Sequence, residues 1–340
     1  MRIALCNEVL APMEFARQCA YAAELGYQGL ELAPFTLADE STGIRAASPG
    51  LARPPEGVQE SLGAGRGFLV SARQRAAVRR SAADAGIAIS GLHWLLRQPA
   101  GLSITSEDAS VRRATLDVMH RQIELCAELG GAVLVHGSPA QRRLPEGDAT
   151  AACARAIDAF ASVARHAQDC GVTYCIEPLA PPHANFIHTL AEAAAIVRQI
   201  GQPALRTMLD CCAAAQAETE TIPTLIDQWL PTGLLAHVQV NDSNLRGPGQ
   251  GDLQFGPILQ ALTRQGYQGW IAVEPFDYQP DGPGCAAYAI GYLRALLEQQ
   301  QPPPGARPQA APHPADRAAS PTPAAASVPQ HAGASTGPSA

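Results

Sequence analysis

Glu177 in TYCIEPL, Asp210 in LRTMLDC, His237 in LLAHVQVND and Glu274 in WIAVEPF each stand near the C-terminal end of a short apolar, strand-like run. A carboxylate placed in such a run is costly unless it is paired or meets a cation. Two Glu, one Asp and one His form a hard, mostly oxygen-donor set, suited to Mn2+, Mg2+ or Co2+ more than to Zn2+. Each residue also has a plainer role open to it. Glu177 could pair with an Arg, Asp210 could cap the helix after its strand, and His237 could be a satisfied core histidine. Glu177 and Glu274 share a Glu-Pro context, and all four fall at strand ends, which favours one shared site.

The elements that must position them form a repeat. Strand-like runs cover 3–9, 29–35, 87–96, 132–137, 173–179, 205–211, 234–242 and 269–276. They are apolar nearly throughout, as strands covered on both faces should be. Helical patterns lie between them near 12–25, 71–85, 107–129, 148–169, 189–200, 221–230, 255–265 and 284–299. Several are followed by Gly just before the next strand, the residue expected past a helix end. Strand then helix, eight times, predicts an α/β fold of the (β/α)8 TIM-barrel type, which builds its active site at the C-terminal ends of the strands. The expected barrel domain is 1–299. Residues 38–70, rich in Gly, Pro, Ser and Ala, form a long loop insertion after the second strand. Residues 300–340, dominated by Pro, Ala and Ser, are expected to be a disordered tail.

Composition narrows the chemistry. All 24 basic residues are Arg. Without Lys, a Schiff-base aldolase, a pyridoxal phosphate enzyme and a P-loop nucleotidase are excluded. The net charge of −7 argues against a nucleic-acid partner. Nine scattered Cys, with no CxxC pair, read as reduced thiols. The chain opens directly into a strand without a secretory signal, and no run is long and apolar enough to span a membrane. A cytoplasmic location is the expectation.

The stretches HVQVNDSNLRGPGQGDLQF and GYQGWIAVEPF resemble the sugar phosphate isomerase/epimerase family, the xylose isomerase-like barrels that include ketose 3-epimerases and hydroxypyruvate isomerases. The resemblance runs from residue 1 to about 299 and is most specific over 173–278. It implies one divalent metal, Mn2+ first with Mg2+ or Co2+ as alternatives, bound by Glu177, Asp210, His237 and Glu274. It also implies that Glu177 and Glu274 act as the acid/base pair. His93 in GLHWLL and Arg246 match positions that line the substrate pocket. His136 in LVHGSP and His183 are further candidates for substrate binding, and Trp94 with Phe35 for an apolar wall. The chain departs from the family pattern around the substrate: the His position of LDxxH is Ala213, a common Glu is His183, and the common HVH reads His237-Val238-Gln239.

Such a site would move a proton on a carbon beside a carbonyl, through an enediolate whose charge a cation stabilises. The expected function is a metal-dependent isomerase or epimerase of a small ketose, sugar phosphate or hydroxy-keto acid. An inosose-type dehydratase, a non-catalytic metal-binding barrel and, less favoured, an apurinic endonuclease-like hydrolase stand as alternatives. The partner is a small carbohydrate, and a homo-oligomer is left open.

Overall fold

The computed structural model describes residues 1–37 and 70–300. The expected insertion and tail therefore lie outside the described residues, apart from Val70 and Gln300. Eight parallel strands close into a barrel in chain order: β1 (Arg2–Cys6), β2 (Gly29–Leu32), β3 (Ala88–Leu92), β4 (Val133–His136), β5 (Thr173–Ile176), β6 (Leu205–Asp210), β7 (Leu235–Val240) and β8 (Trp270–Val273). β1 closes the ring on β8, with Ile3 beside Ile271 and Leu5 beside Val273.

Helices return the chain from each strand to the next: α1 (Phe15–Leu25), α2 (Ala72–Asp84), α3 (Ala109–Glu128), α4 (Ala149–Cys170), α5 (Leu190–Ile200), α6 (Cys211–Ala217), α7 (Ile222–Trp229), α8 (Phe255–Arg264) and α9 (Gly282–Gln299). Their starts are set by local chemistry. Ser71 and Gln74 form a capping box on α2, and Thr189, Thr221 and Asp281 cap α5, α7 and α9. Gly26 ends α1 in the left-handed conformation, φ 93°, as the sequence requires.

Every observed strand stops short of the apolar run that predicted it. Residues 7–9, 33–35, 93–96, 177–179 and 274–276 leave the ladder and become the loops that carry polar groups at the barrel mouth. Inside the barrel, side chains alternate with those facing the helices. Val133, Val135, Cys175 and Met208 pack as one small apolar cluster. Above it the inward side chains are polar, and that change of character marks the site.

Candidate active site

Five carboxyl groups gather at the barrel mouth with almost no access to solvent: Glu8, Glu31, Glu177, Asp210 and Glu274, none more than 8% exposed. Glu177, Asp210 and Glu274, following or ending β5, β6 and β8, each offer an oxygen within 4.8 Å of the others. A second group overlaps the first: Cys6, Glu8, His93 and Glu274 converge equally closely. Glu274 belongs to both.

Backbone and neighbours aim these groups. Gly137 lies against Glu177: a Cβ added there would sit 2.2 Å from Glu177 Oε2, so any side chain at 137 would have to displace that carboxylate. Behind it, fully buried Arg142 donates to the backbone carbonyls of Glu177 (2.6 Å), Ile187 (3.4 Å) and His136 (3.5 Å). Asp210 does two things at once. Its Oδ1 accepts from Ala213 N–H at 2.7 Å and caps α6, while its Oδ2 accepts from Asn241 Nδ2 at 2.7 Å. Asn241 also donates to the Glu274 carbonyl at 3.1 Å and accepts from Cys212 N–H at 2.8 Å, tying the ends of β6, β7 and β8 together.

His93 approaches Glu8 Oε1 at 2.8 Å through Nε2, and that nitrogen lies 3.8 Å from Glu274 Oε1. Burial alone would push the imidazole pKa down, but Glu8 and then Glu31 bring it above its usual value. Glu31 meets His237 Nε2 at 2.8 Å and accepts from Gln239 Nε2 at 2.8 Å. Burial works to raise Glu31, and the His237 imidazole outweighs it, so the carboxyl lies below the usual range.

The three clustered carboxyls behave oppositely. Burial and then repulsion from Asp210 lift Glu177 to about 8. Burial lifts Asp210 to about 6. Burial, then Glu177 and Asp210, push Glu274 well up. Like charges this close and this dry cannot all ionise without a compensating cation. The buried positive groups do not supply it: Arg142 is committed to backbone carbonyls, and His93 and His237 lie against Glu8 and Glu31. Among the described residues, Glu8 Oε2, Glu274 Oε2 and Gln239 Oε1 have no hydrogen-bond partner. Carboxylate and amide oxygens in this geometry fit a hard divalent cation.

The remaining residues named from sequence scatter. His237 is not in the three-carboxylate group; it sits deeper and faces Glu31. His136 is fully buried, holds Tyr174 OH through Nδ1 at 2.7 Å and meets Phe160 of α4 edge-on, so it faces the helix layer. Burial, with help from Arg142, pushes its pKa down to about 3. Arg246 stands in the loop after β7, 40% exposed and paired with Asp277 at 2.8 Å. His183 occupies a half-buried turn in the loop after β5. Trp94 packs edge-on against Phe276 at the rim, 6.1 Å between centroids, while Phe35 is buried and reached by Arg97.

Sequence reasoning passed over Glu8, Glu31, Arg142, Gln239 and Asn241. For Glu31 the signal was present: a lone carboxylate in the apolar run GLELAPF.

A closed eight-stranded parallel barrel with acidic groups at its C-terminal mouth defines a TIM-barrel protein of the kind that carries its site on strand ends. A family model described as xylose isomerase-like TIM barrel matches residues 19–296, and the chain belongs to that family. It is 30% identical over 212 residues to a D-psicose 3-epimerase of Agrobacterium fabrum, covering 59% of this chain and 68% of that one. To a ketose 3-epimerase of Arthrobacter globiformis it is 25% identical, covering 51% and 60% of the two chains. To a putative hydroxypyruvate isomerase of Streptomyces coelicolor it is 26% identical, covering 63% and 77%. Among solved structures, a D-psicose 3-epimerase in the presence of D-fructose shares the fold with a TM-score of 0.67 at 21% identity, over 87% of this chain and 99% of that one. A family 2 AP endonuclease from Brucella melitensis shares it with a TM-score of 0.62 at 19% identity, over 86% and 99%.

Proposed function

We propose that this protein is a divalent-metal-dependent isomerase or epimerase of a small ketose or hydroxy-keto acid. The observation that carries the reading is the buried convergence of Glu177, Asp210 and Glu274 within 4.8 Å at the barrel mouth. The named activities of the relatives agree with it: inversion at carbon 3 of a ketose and isomerisation of hydroxypyruvate both move a proton on a carbon beside a carbonyl.

Glu177, Asp210 and Glu274 would hold the ion, and its positive charge would stabilise the oxygen that turns negative when that proton leaves. Glu177 and Glu274 are the acid/base pair. They stand three strands apart around the barrel, and one removes the proton while the other returns it. Return to the same carbon from the opposite side epimerises; return to the neighbouring carbon isomerises. Asp210 serves only as a ligand, since capping α6 and bonding Asn241 fix both of its oxygens. His93, held by Glu8 through Nε2, forms the pocket wall beside Glu274. Arg246, in the loop above, reaches an outer hydroxyl or phosphate once it leaves Asp277. Positioned acid/base groups of this kind contribute about 100- to 10,000-fold each.

The test is deuterium exchange from heavy water into ketoses, followed for the wild type, Glu177→Gln and Glu274→Gln with Mn2+ present. Both variants are expected to lose exchange. Exchange retained at the wild-type rate in either one removes that residue from proton transfer.

A further inference from the structure

We infer that the groove between α3 and α4 carries a second metal site, for Zn2+ or a similar borderline ion, formed by Glu124, His166 and Cys170. It is separate from the centre proposed at the barrel mouth and does not rest on it.

Helix spacing places the groups. His166 and Cys170 are four residues apart on α4, so they share a face of that helix. Glu124 reaches them from α3. His166 Nε2 is where the three meet: it lies 3.1 Å from Glu124 Oε1 and 3.9 Å from Cys170 Sγ. With bonds of about 2.0–2.3 Å, ligand atoms around one tetrahedral zinc stand roughly 3.3–3.6 Å apart. Closing Glu124 and Cys170 on an ion takes rotation of their side chains. The Glu124 side chain is 59% exposed, and Cys170 is the last residue of α4.

Hydrogen bonding alone leaves this arrangement in conflict. One ring nitrogen faces an ionised carboxylate, which only accepts, and a thiol as well. A neutral imidazole nitrogen either donates to the carboxylate or accepts from the thiol, and it cannot do both. A cation bound to nitrogen, carboxylate and thiolate together removes the conflict.

The surroundings favour a cation. His120 stacks on His166 with 4.6 Å between ring centroids, and its Nε2 meets Ser162 Oγ at 3.3 Å, which fixes the face against which His166 lies. Burial and then His166 hold His120 below the usual imidazole range, so no imidazolium there opposes a metal ion. Cys170 also stands at the negative end of the α4 dipole. Burial, then Glu124 and Asp169, lift its thiol above the usual value. It therefore stays protonated until a metal displaces the proton to solvent.

One imidazole, one thiolate and one carboxylate make a softer set than three carboxylates. Zn2+ and Co2+ suit it better than Mg2+ or Mn2+, so the two centres differ in the metal they prefer. They also differ in place. Cys170 is followed at once by the start of β5, so it lies at the end of the barrel away from the mouth. An ion there pins α3 to α4 and stabilises the fold without touching the reaction.

Co2+ titrated into the intact protein, with Mg2+ in excess for the mouth, tests the assignment. A thiolate-to-Co2+ charge-transfer band is expected in the near ultraviolet, and Cys170→Ser should abolish it. His166→Ala should weaken Co2+ binding at this site by about tenfold or more. Zn2+ should raise the melting temperature of the wild type more than that of His166→Ala. Absence of the band in the wild type, or its survival in Cys170→Ser, overturns the inference. So does equal Co2+ affinity in the wild type and His166→Ala. A band that appears only above about 1 mM Co2+ marks adventitious surface binding and overturns it too.

Discussion

At the scale of single residues, the site is governed by how closely buried oxygens approach one another. Gly137 is the sharpest case, because a methyl there would enter the space of Glu177 Oε2. Gly137→Ala should displace that carboxylate and lower kcat/KM by about tenfold or more, with the far-ultraviolet circular dichroism unchanged. Unchanged turnover would mean that Glu177 can shift without consequence. The raised acidities give a second outcome. With Glu177 lifted to about 8 and Asp210 to about 6, the cation-free folded protein keeps protons that the unfolded chain, with carboxyls near pH 4, releases. Their contribution to stability is complete below about pH 4, declines as the pH rises and is gone by about pH 8. The melting temperature of the cation-free protein should therefore fall between about pH 5 and pH 8. Mn2+, which favours the ionised forms, should raise it most at the upper end. A larger Mn2+ effect at pH 5 would contradict this account.

At the scale of elements, most of what matters is where each strand hands over to its loop. Buried Asp242, just past β7, accepts from Gly251 N–H at 2.8 Å, Ser243 N–H at 2.9 Å and Leu253 N–H at 3.0 Å, which folds 243–253 into one shaped loop carrying Arg246. Asp242→Ala should loosen that loop, seen as new protease cleavage between 243 and 253 and a rise in KM larger than the fall in kcat. Arg142 ties the chain after β4 to that after β5. Arg142→Met strands those carbonyls and should lower unfolding free energy by about 2–4 kcal/mol in urea titration.

The same handover points explain what the sequence could and could not tell. Glu177, Asp210 and Glu274 were legible because a carboxylate in a nearly apolar strand stands out against its neighbours. The depth of His237 was not, since only the register against β6 sets it opposite Met208 and not opposite Asp210. His136 failed for a related reason: one residue of alternation decides between the barrel interior and the helix layer. Helix α6 went unread because it is a short run that depends on its cap, Asp210, which sequence treated as either a cap or a ligand. The structure has Asp210 capping α6 while also converging with Glu177 and Glu274.

At the scale of the whole molecule, the eightfold alternation of strand and helix was legible from periodicity and helix-ending glycines, and the barrel closes in chain order as expected. No helix among the described residues is long and apolar enough to cross a membrane. The closed ring forces inward side chains from different strands into one narrow mouth, where Glu177, Asp210 and Glu274 converge in a chain without Lys. Residues 301–340 carry little apolar surface by composition, so removing them should shift the melting temperature by less than about 2 °C. A larger drop would show that the tail supports the barrel.

The most direct test of the central claim is solvent deuterium uptake into a panel of ketoses and hydroxypyruvate, followed by NMR with the wild-type protein. Metal-stripped protein should be silent, and Mn2+ should restore exchange at a carbon adjacent to the carbonyl. Protein that demonstrably holds Mn2+ yet labels none of these compounds would contradict the account.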